Sequence, residues 1–193
     1  MRGRPTIYED ENIIKKAQEV FWQKGYGATS LSDLRKATGA GAGSFYNTFK
    51  GGKKEVFLKA IEQRRAAFDD FKKELGQNDA PLELIKDFFR SIALADKNEH
   101  LKGCIIANTV VEMTFIDEKL ESSSVQILKE VEAMFTEVIQ NEKNKGNLKS
   151  PTDPEILGRY LITFWSGLNT LRRMYPDKEI LKSQIEMQLA VIS

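Results

Sequence analysis

The 193 residues contain only one cysteine and one histidine. Cys104 alone cannot close an internal disulfide, which predicts a chain kept in a reducing cytoplasm. His100 alone excludes a His-based acid–base pair and a His-rich metal site. The two stand at i, i+4, but two ligands do not make a zinc site. The reading is an exposed-loop His100 and a Cys104 packed as a small hydrophobe. Long apolar runs are also missing. Nothing approaches the ~18 consecutive apolar residues of a membrane span, so no membrane partner is expected. The start, MRGRPTIYEDEN, has no apolar stretch behind its arginines and predicts no secretory signal. Phosphate-loop patterns fail as well. Gly39-Ala40-Gly41-Ala42-Gly43 is not G-x-G-x-x-G, and Gly52-Lys53-Lys54 lacks the earlier glycine and the closing Ser/Thr. Glu112 and Asp117 do not form a convincing catalytic pair. A non-enzymatic protein without cofactor or metal is expected.

Charge is present but uneven. Residues 1–54 carry ten Lys/Arg against five Asp/Glu, whereas the whole chain is only +1. A basic quarter on an acidic body suggests that this quarter meets a polyanion.

Apolar residues recur at three- and four-residue steps almost throughout, with no alternating β-branched run. The pattern predicts an all-α fold of about nine helices: 9–24, 30–37, 42–48, 53–75, 81–95, 103–115, 117–145, 153–174 and 177–192. Gly25, Gly39, Gly76 and Gly146 supply stops, and Pro81 and Pro154 suit first turns. Two domains are expected: a three-helix domain at 1–52 and a helical bundle at 53–193.

Residues 30–48 read as two short helices joined by a glycine turn, the helix-turn-helix arrangement that lays its second helix in the major groove. Ser30 with Asp33 forms a capping pattern for the first of them. Ala42 and Gly43, nearly without side chains, would let the backbone approach base edges. Ser44, Tyr46, Asn47 and Thr48 offer groups that bond phosphates, and Phe45 and Phe49 look like inward anchors. Arg2 and Arg4, on a proline-stiffened arm, could enter the minor groove.

The run from Ile13 to Ile61 resembles the N-terminal domain of the TetR family of bacterial repressors. The matching elements are Phe21-x-x-x-Gly25-Tyr26, Thr29-Ser30, Asp33-Leu34, Ala37, Gly39, Gly43-Ser44, Tyr46, Phe49 and a lysine opening the next helix. The resemblance implies a DNA-binding transcriptional regulator, a repressor released from its double-stranded operator by a small-molecule effector. It also implies a homodimer, with Ser30 and Lys53 among the DNA contacts. The chain departs from the family in lacking Ser or Thr at Ala40-Gly41. It has one extra residue before the lysine, so that either Lys53 or Lys54 takes the phosphate. A helical DNA-binding or adaptor protein without a ligand is the alternative, and it predicts a tightly filled C-terminal core.

Two further sites are expected. Leu157, Leu161, Phe164, Leu168 and Leu171 are spaced 4-3-4-3, a seam for another helix, and Ile185 and Leu189 extend it as a dimer interface. Cys104, Asn108, Glu112 and Phe115 fall on one helix face. With Phe68, Phe89, Phe135 and Trp165 as apolar walls, they form the candidate effector site; the favoured alternative has Asn108 and Glu112 facing water while Ile105, Ile106 and Val110 pack inward.

Overall fold

Glycine and proline set most of the boundaries. The computed structural model describes residues Ile7–Ser193, with side chains from Glu11 onward. Arg2 and Arg4 lie outside the described residues. Ten α-helices follow in order: α1 (Ile7–Ala28), α2 (Leu31–Thr38), α3 (Ala42–Thr48), α4 (Gly52–Gln77), α5 (Pro81–Ile92), α6 (Lys97–Lys102), α7 (Ile105–Met113), α8 (Glu118–Asn144), α9 (Pro154–Met174) and α10 (Lys178–Leu189). A 3₁₀ turn, Ala190–Ile192, closes the chain, and the described residues contain no strand.

The all-α expectation holds, with one addition. The short helix α6 occupies the stretch read as a loop. Asp96 starts it by accepting the Glu99 amide at 3.0 Å, and Gly103 ends it at φ 66°. Six residues, KNEHLK, are too few and too polar to show a helical stripe. His100 sits within α6 and is buried rather than exposed, and Cys104 is buried as expected.

The chain forms two compact units. Among the described residues, the first takes in those up to Ala67 together with Ile105–Ser124, the second Phe68–Cys104 and Val125–Ser193. The division expected at 52/53 does not follow this compactness. The units instead divide within α4 (Gly52–Gln77), at Ala67/Phe68, and the first also takes in α7, which packs on α1.

The first unit is built on Phe21, Leu34, Phe45, Phe49, Val56, Phe57 and Ile61, all buried. The second has a core of Ile85, Phe89, Phe135, Ile139, Leu157, Leu161, Leu168, Leu181, Ile185 and Leu189. Truncating any of these to Ala costs about 2–5 kcal/mol in comparable cores. Within this unit α9 approaches α8 closely at Gly158, where a Cβ would collide with the Thr136 hydroxyl and lie 3.2 Å from the Glu132 carbonyl.

Candidate nucleic-acid interface

The second helix of the motif is held from beneath. Phe45 and Phe49 of the α3 segment are buried, with ring centroids 5.2 Å apart, and they turn the opposite side of α3 outward. Ala42, Gly43, Ser44, Tyr46 and Asn47 are exposed on that side, and Thr48 is half-buried. Gly41 leads into α3 without any side-chain cap, as its lack of a hydroxyl predicts.

The first helix of the motif is pinned at both ends. Ser30 Oγ accepts the Asp33 amide at 3.1 Å, while Asp33 Oδ2 accepts the Ser30 amide at 2.9 Å, a complete capping box. Gly39 closes α2 in the left-handed region, at φ 72° and ψ 10°. Lys24 reaches Asp33 at 2.6 Å. That ammonium, with the two Ser30 hydrogen bonds, holds the Asp33 carboxyl well below the usual carboxylate range. The cap occupies Ser30. Its hydroxyl also donates to Asp33 Oδ2 at 2.7 Å, so the expected DNA contact by this side chain is not supported.

The two candidate phosphate lysines are both engaged. Lys53 Nζ donates to the Tyr26 carbonyl at 3.0 Å and lies 4.2 Å from the Tyr26 ring centroid. Lys54 pairs with Asp117 at 2.6 Å. Hydrogen bonding to Lys54 and then to the Leu120 amide draws the Asp117 carboxyl below its ordinary pKa. Burial pushes the Tyr26 phenol above its own. Lys36 on α2 and Lys50, just after α3, are exposed.

One residue whose role the sequence reading missed organises this unit. Regular helix in α1 is interrupted at Gly25, at φ 79° and ψ 170°, before a last turn at Tyr26–Ala28. Glu112 of α7 spans the interruption. Its Oε2 accepts the Tyr26 amide at 2.9 Å and its Oε1 the Gly27 amide at 2.6 Å. No local pattern signals this contact, because its partners lie 86 and 85 residues away.

The expected effector face does not assemble as drawn. Regular α7 begins after Cys104 and ends before Phe115, which has left-handed φ 66° and is fully exposed. Asn108 is half-buried, and Glu112 is committed to α1. The aromatic walls do come together. Phe89 lies 6.1 Å from Phe135 and 6.3 Å from Trp165, and Phe68 packs on the same cluster. Phe89 and Phe135 are buried in the core, 0% and 2% exposed, and Phe68 and Trp165 are partly buried against it. Grooves of about 500 and 190 Å³ are lined by other residues, including Glu132, Thr136 and Arg159 in the larger.

The 4-3-4-3 seam is likewise spent within the protomer. Leu157, Leu161, Leu168, Ile185 and Leu189 are buried in the core of the second unit, Phe164 packs against that core, and Leu171 is half-buried. A residue already covered by its own chain has no apolar surface left for a partner.

Comparison with known proteins accords with this arrangement. Residues 13–60 match the family described as bacterial regulatory proteins, tetR family, and residues 81–187 match the tetracyclin repressor-like C-terminal domain. The HTH-type transcriptional regulator YezE of Bacillus subtilis is 29% identical, over 98% of this chain and 99% of its own length. The HTH-type transcriptional repressor DhaR of a Mycobacterium species is 25% identical, over 89% of this chain and 85% of its own. Among solved structures, a cysteine mutant of the TetR family regulator CifR, complexed with 26-bp double-strand operator DNA, superposes with a TM-score of 0.80. It is 22% identical and covers 99% of this chain and 100% of that one.

Proposed function

Because this chain belongs to the tetR family of bacterial regulatory proteins, we propose that it is a repressor that holds a double-stranded operator through α3 and is released by a small-molecule effector. One observation carries the DNA contact: Phe45 and Phe49 anchor α3 so that Ala42, Gly43, Ser44, Tyr46 and Asn47 face outward together. The nearly bare Ala42 and Gly43 admit base edges, and the polar groups beside them suit phosphates. Exposed Lys36 and Lys50 supply the sequence-independent attraction.

The protein acts as a homodimer, since two recognition helices must meet half-sites about 34–36 Å apart. The partner copy seats on the outer faces of α9, α10 and the closing 3₁₀ turn, where Ile156, Met174, Ile180, Met187 and Val191 are all exposed. That surface replaces the buried leucine seam. The filled aromatic core around Phe89 favours a second reading, a DNA-binding protein without an effector.

Selection of bound duplexes from a random pool, followed by anisotropy with and without a metabolite panel, tests both. Enrichment of a two-fold symmetric site supports the dimeric DNA reader. A metabolite that lowers affinity for that site supports the effector, and a failure of every metabolite favours the second reading.

A further inference from the structure

Where α6 packs against α9, three buried side-chain atoms have no hydrogen-bond partner: His100 Nδ1, Asn169 Oδ1 and Arg172 Nε. Their residues are 3%, 4% and 7% exposed. Asn169 and Arg172 stand one turn apart on α9 and face inward together. Arg172 Nη2 is already used, donating to the Glu99 carbonyl at 2.6 Å and the Gly103 carbonyl at 3.4 Å. Asn169 Nδ2 is used on the Trp165 carbonyl at 2.7 Å, which fixes Oδ1 as the free acceptor.

The charge around this cluster is unbalanced. Among the described residues no carboxylate lies within ion-pair distance of Arg172. The neighbouring Glu99 carboxylate is taken by Lys102 at 2.6 Å. Arg173 adds another cation beside the same turn, bonding the Lys102 carbonyl at 2.6 Å. Burial lowers the Arg172 pKa, and burial together with the Arg172 charge lowers that of His100. A buried guanidinium with a free N–H is kept in a fold at a cost unless an anion meets it. A free acceptor one turn away asks for a donor.

We propose that this cluster binds a small carboxylate carrying a neighbouring hydroxyl or amine, with the carboxylate on Arg172 Nε, the donor on Asn169 Oδ1 and His100 beside them. Such a molecule satisfies the donor, the acceptor and the charge at once. Neutral molecules satisfy only the hydrogen bonds, and simple inorganic anions only the charge. The inference rests on the effector reading above and names the chemical class of that effector.

The test uses the full chain with lactate, glycolate, acetate, lactamide and sodium chloride at matched ionic strength. Melting temperature and operator affinity are the readouts. Lactate and glycolate are expected to raise the melting temperature saturably and to weaken operator binding by about tenfold, in the range of ordinary coupling energies. Acetate should do so more weakly, and lactamide and chloride not at all. Asn169→Leu should erase the advantage of lactate over acetate, and Arg172→Gln should erase both responses. If Arg172→Gln fails to fold, Asn169→Leu and the ligand panel decide alone.

The site is overturned if no hydroxyacid exceeds lactamide and chloride, or if Asn169→Leu responds like the unaltered chain. Operator release by neutral metabolites, with the acids inert, also overturns it while leaving the effector reading standing. Hydroxyacids that raise the melting temperature through Asn169 without touching operator affinity establish the site and remove its role as the switch.

Discussion

Glu112 and Gly27 are 85 residues apart in the chain, yet the Glu112 Oε1 accepts the Gly27 amide at 2.6 Å. With the Tyr26 amide on its second oxygen, this carboxylate caps the point where α1 breaks just ahead of α2. The carboxylate read from sequence as a candidate effector ligand therefore sets the geometry of the DNA-reading unit.

Removing it has a measurable cost. Glu112→Ala should destabilise the protein by about 2 kcal/mol, as two backbone amides lose a charged acceptor. That corresponds to a fall of about 4–8 °C in melting temperature for a chain of this size. Operator affinity should fall as well. Gly25→Ala should cost about 1–3 kcal/mol, because its backbone lies in a region open essentially to glycine alone. An added Cβ would also lie 3.1 Å from the Glu112 carboxylate. The two losses should therefore be less than additive, and urea denaturation of both single variants and the double variant measures the difference.

Lys50 and Lys53 should separate binding from folding. Lys50→Ala is expected to lower the slope of log affinity against log salt by about 0.9 while leaving the melting temperature unchanged. Lys53→Ala should lower the melting temperature, since it removes the carbonyl bond and the ring contact at Tyr26. Anisotropy across a salt series, paired with thermal melts, reads both effects.

His100 should make stability depend on pH. Burial first, and then the Arg172 charge, depress its pKa; Asp96 and the Ala95 carbonyl oppose them. Below the unfolded value near 6.5 the unfolded chain binds the extra proton more readily, so stability is complete above that pH and declines as pH falls through the depressed folded value. Melting temperature should therefore fall as pH drops below about 6.5. His100→Gln should flatten that part of the curve, and calorimetry across the range checks it.

The outer faces of α9 and α10 should govern assembly. Met187→Glu, on an exposed position, is expected to yield a folded monomer at micromolar concentration with weakened operator affinity. Leu168→Glu, at a core position, should instead prevent folding by burying an unpaired charge. Sedimentation velocity distinguishes the two outcomes.

What the sequence disclosed was mostly local. Ser30 and Asp33 are three residues apart, so their cap is written in one turn of chain. The same holds for the Gly39 turn and for the spacing that buries Phe45 and Phe49. The leucines of α9 were visible as a seam, but a periodic stripe records that one side is covered without recording what covers it. Leu161 and Leu168 face their own core, and the surface left for a partner is the less regular set around Met187. The helix α6 escaped because its six residues bury one polar side chain, His100, instead of an apolar stripe. Glu112 escaped because the amides that define its role belong to another helix, far away in the chain.

Gly158 bears on how substitution patterns in this family should be interpreted. An added Cβ there would meet the Thr136 hydroxyl and crowd the Thr136 Cβ and the Glu132 carbonyl, so Thr136 would have to rotate and α8 and α9 to give by a few tenths of an ångström. The position favours glycine for packing reasons although it touches neither DNA nor any proposed ligand. In a saturation library it would stand out as sharply as a recognition residue, and near-absolute invariance among relatives would invite the same mistaken inference. Scoring variants for folded abundance as well as for repression separates such positions from those whose constraint comes from the operator.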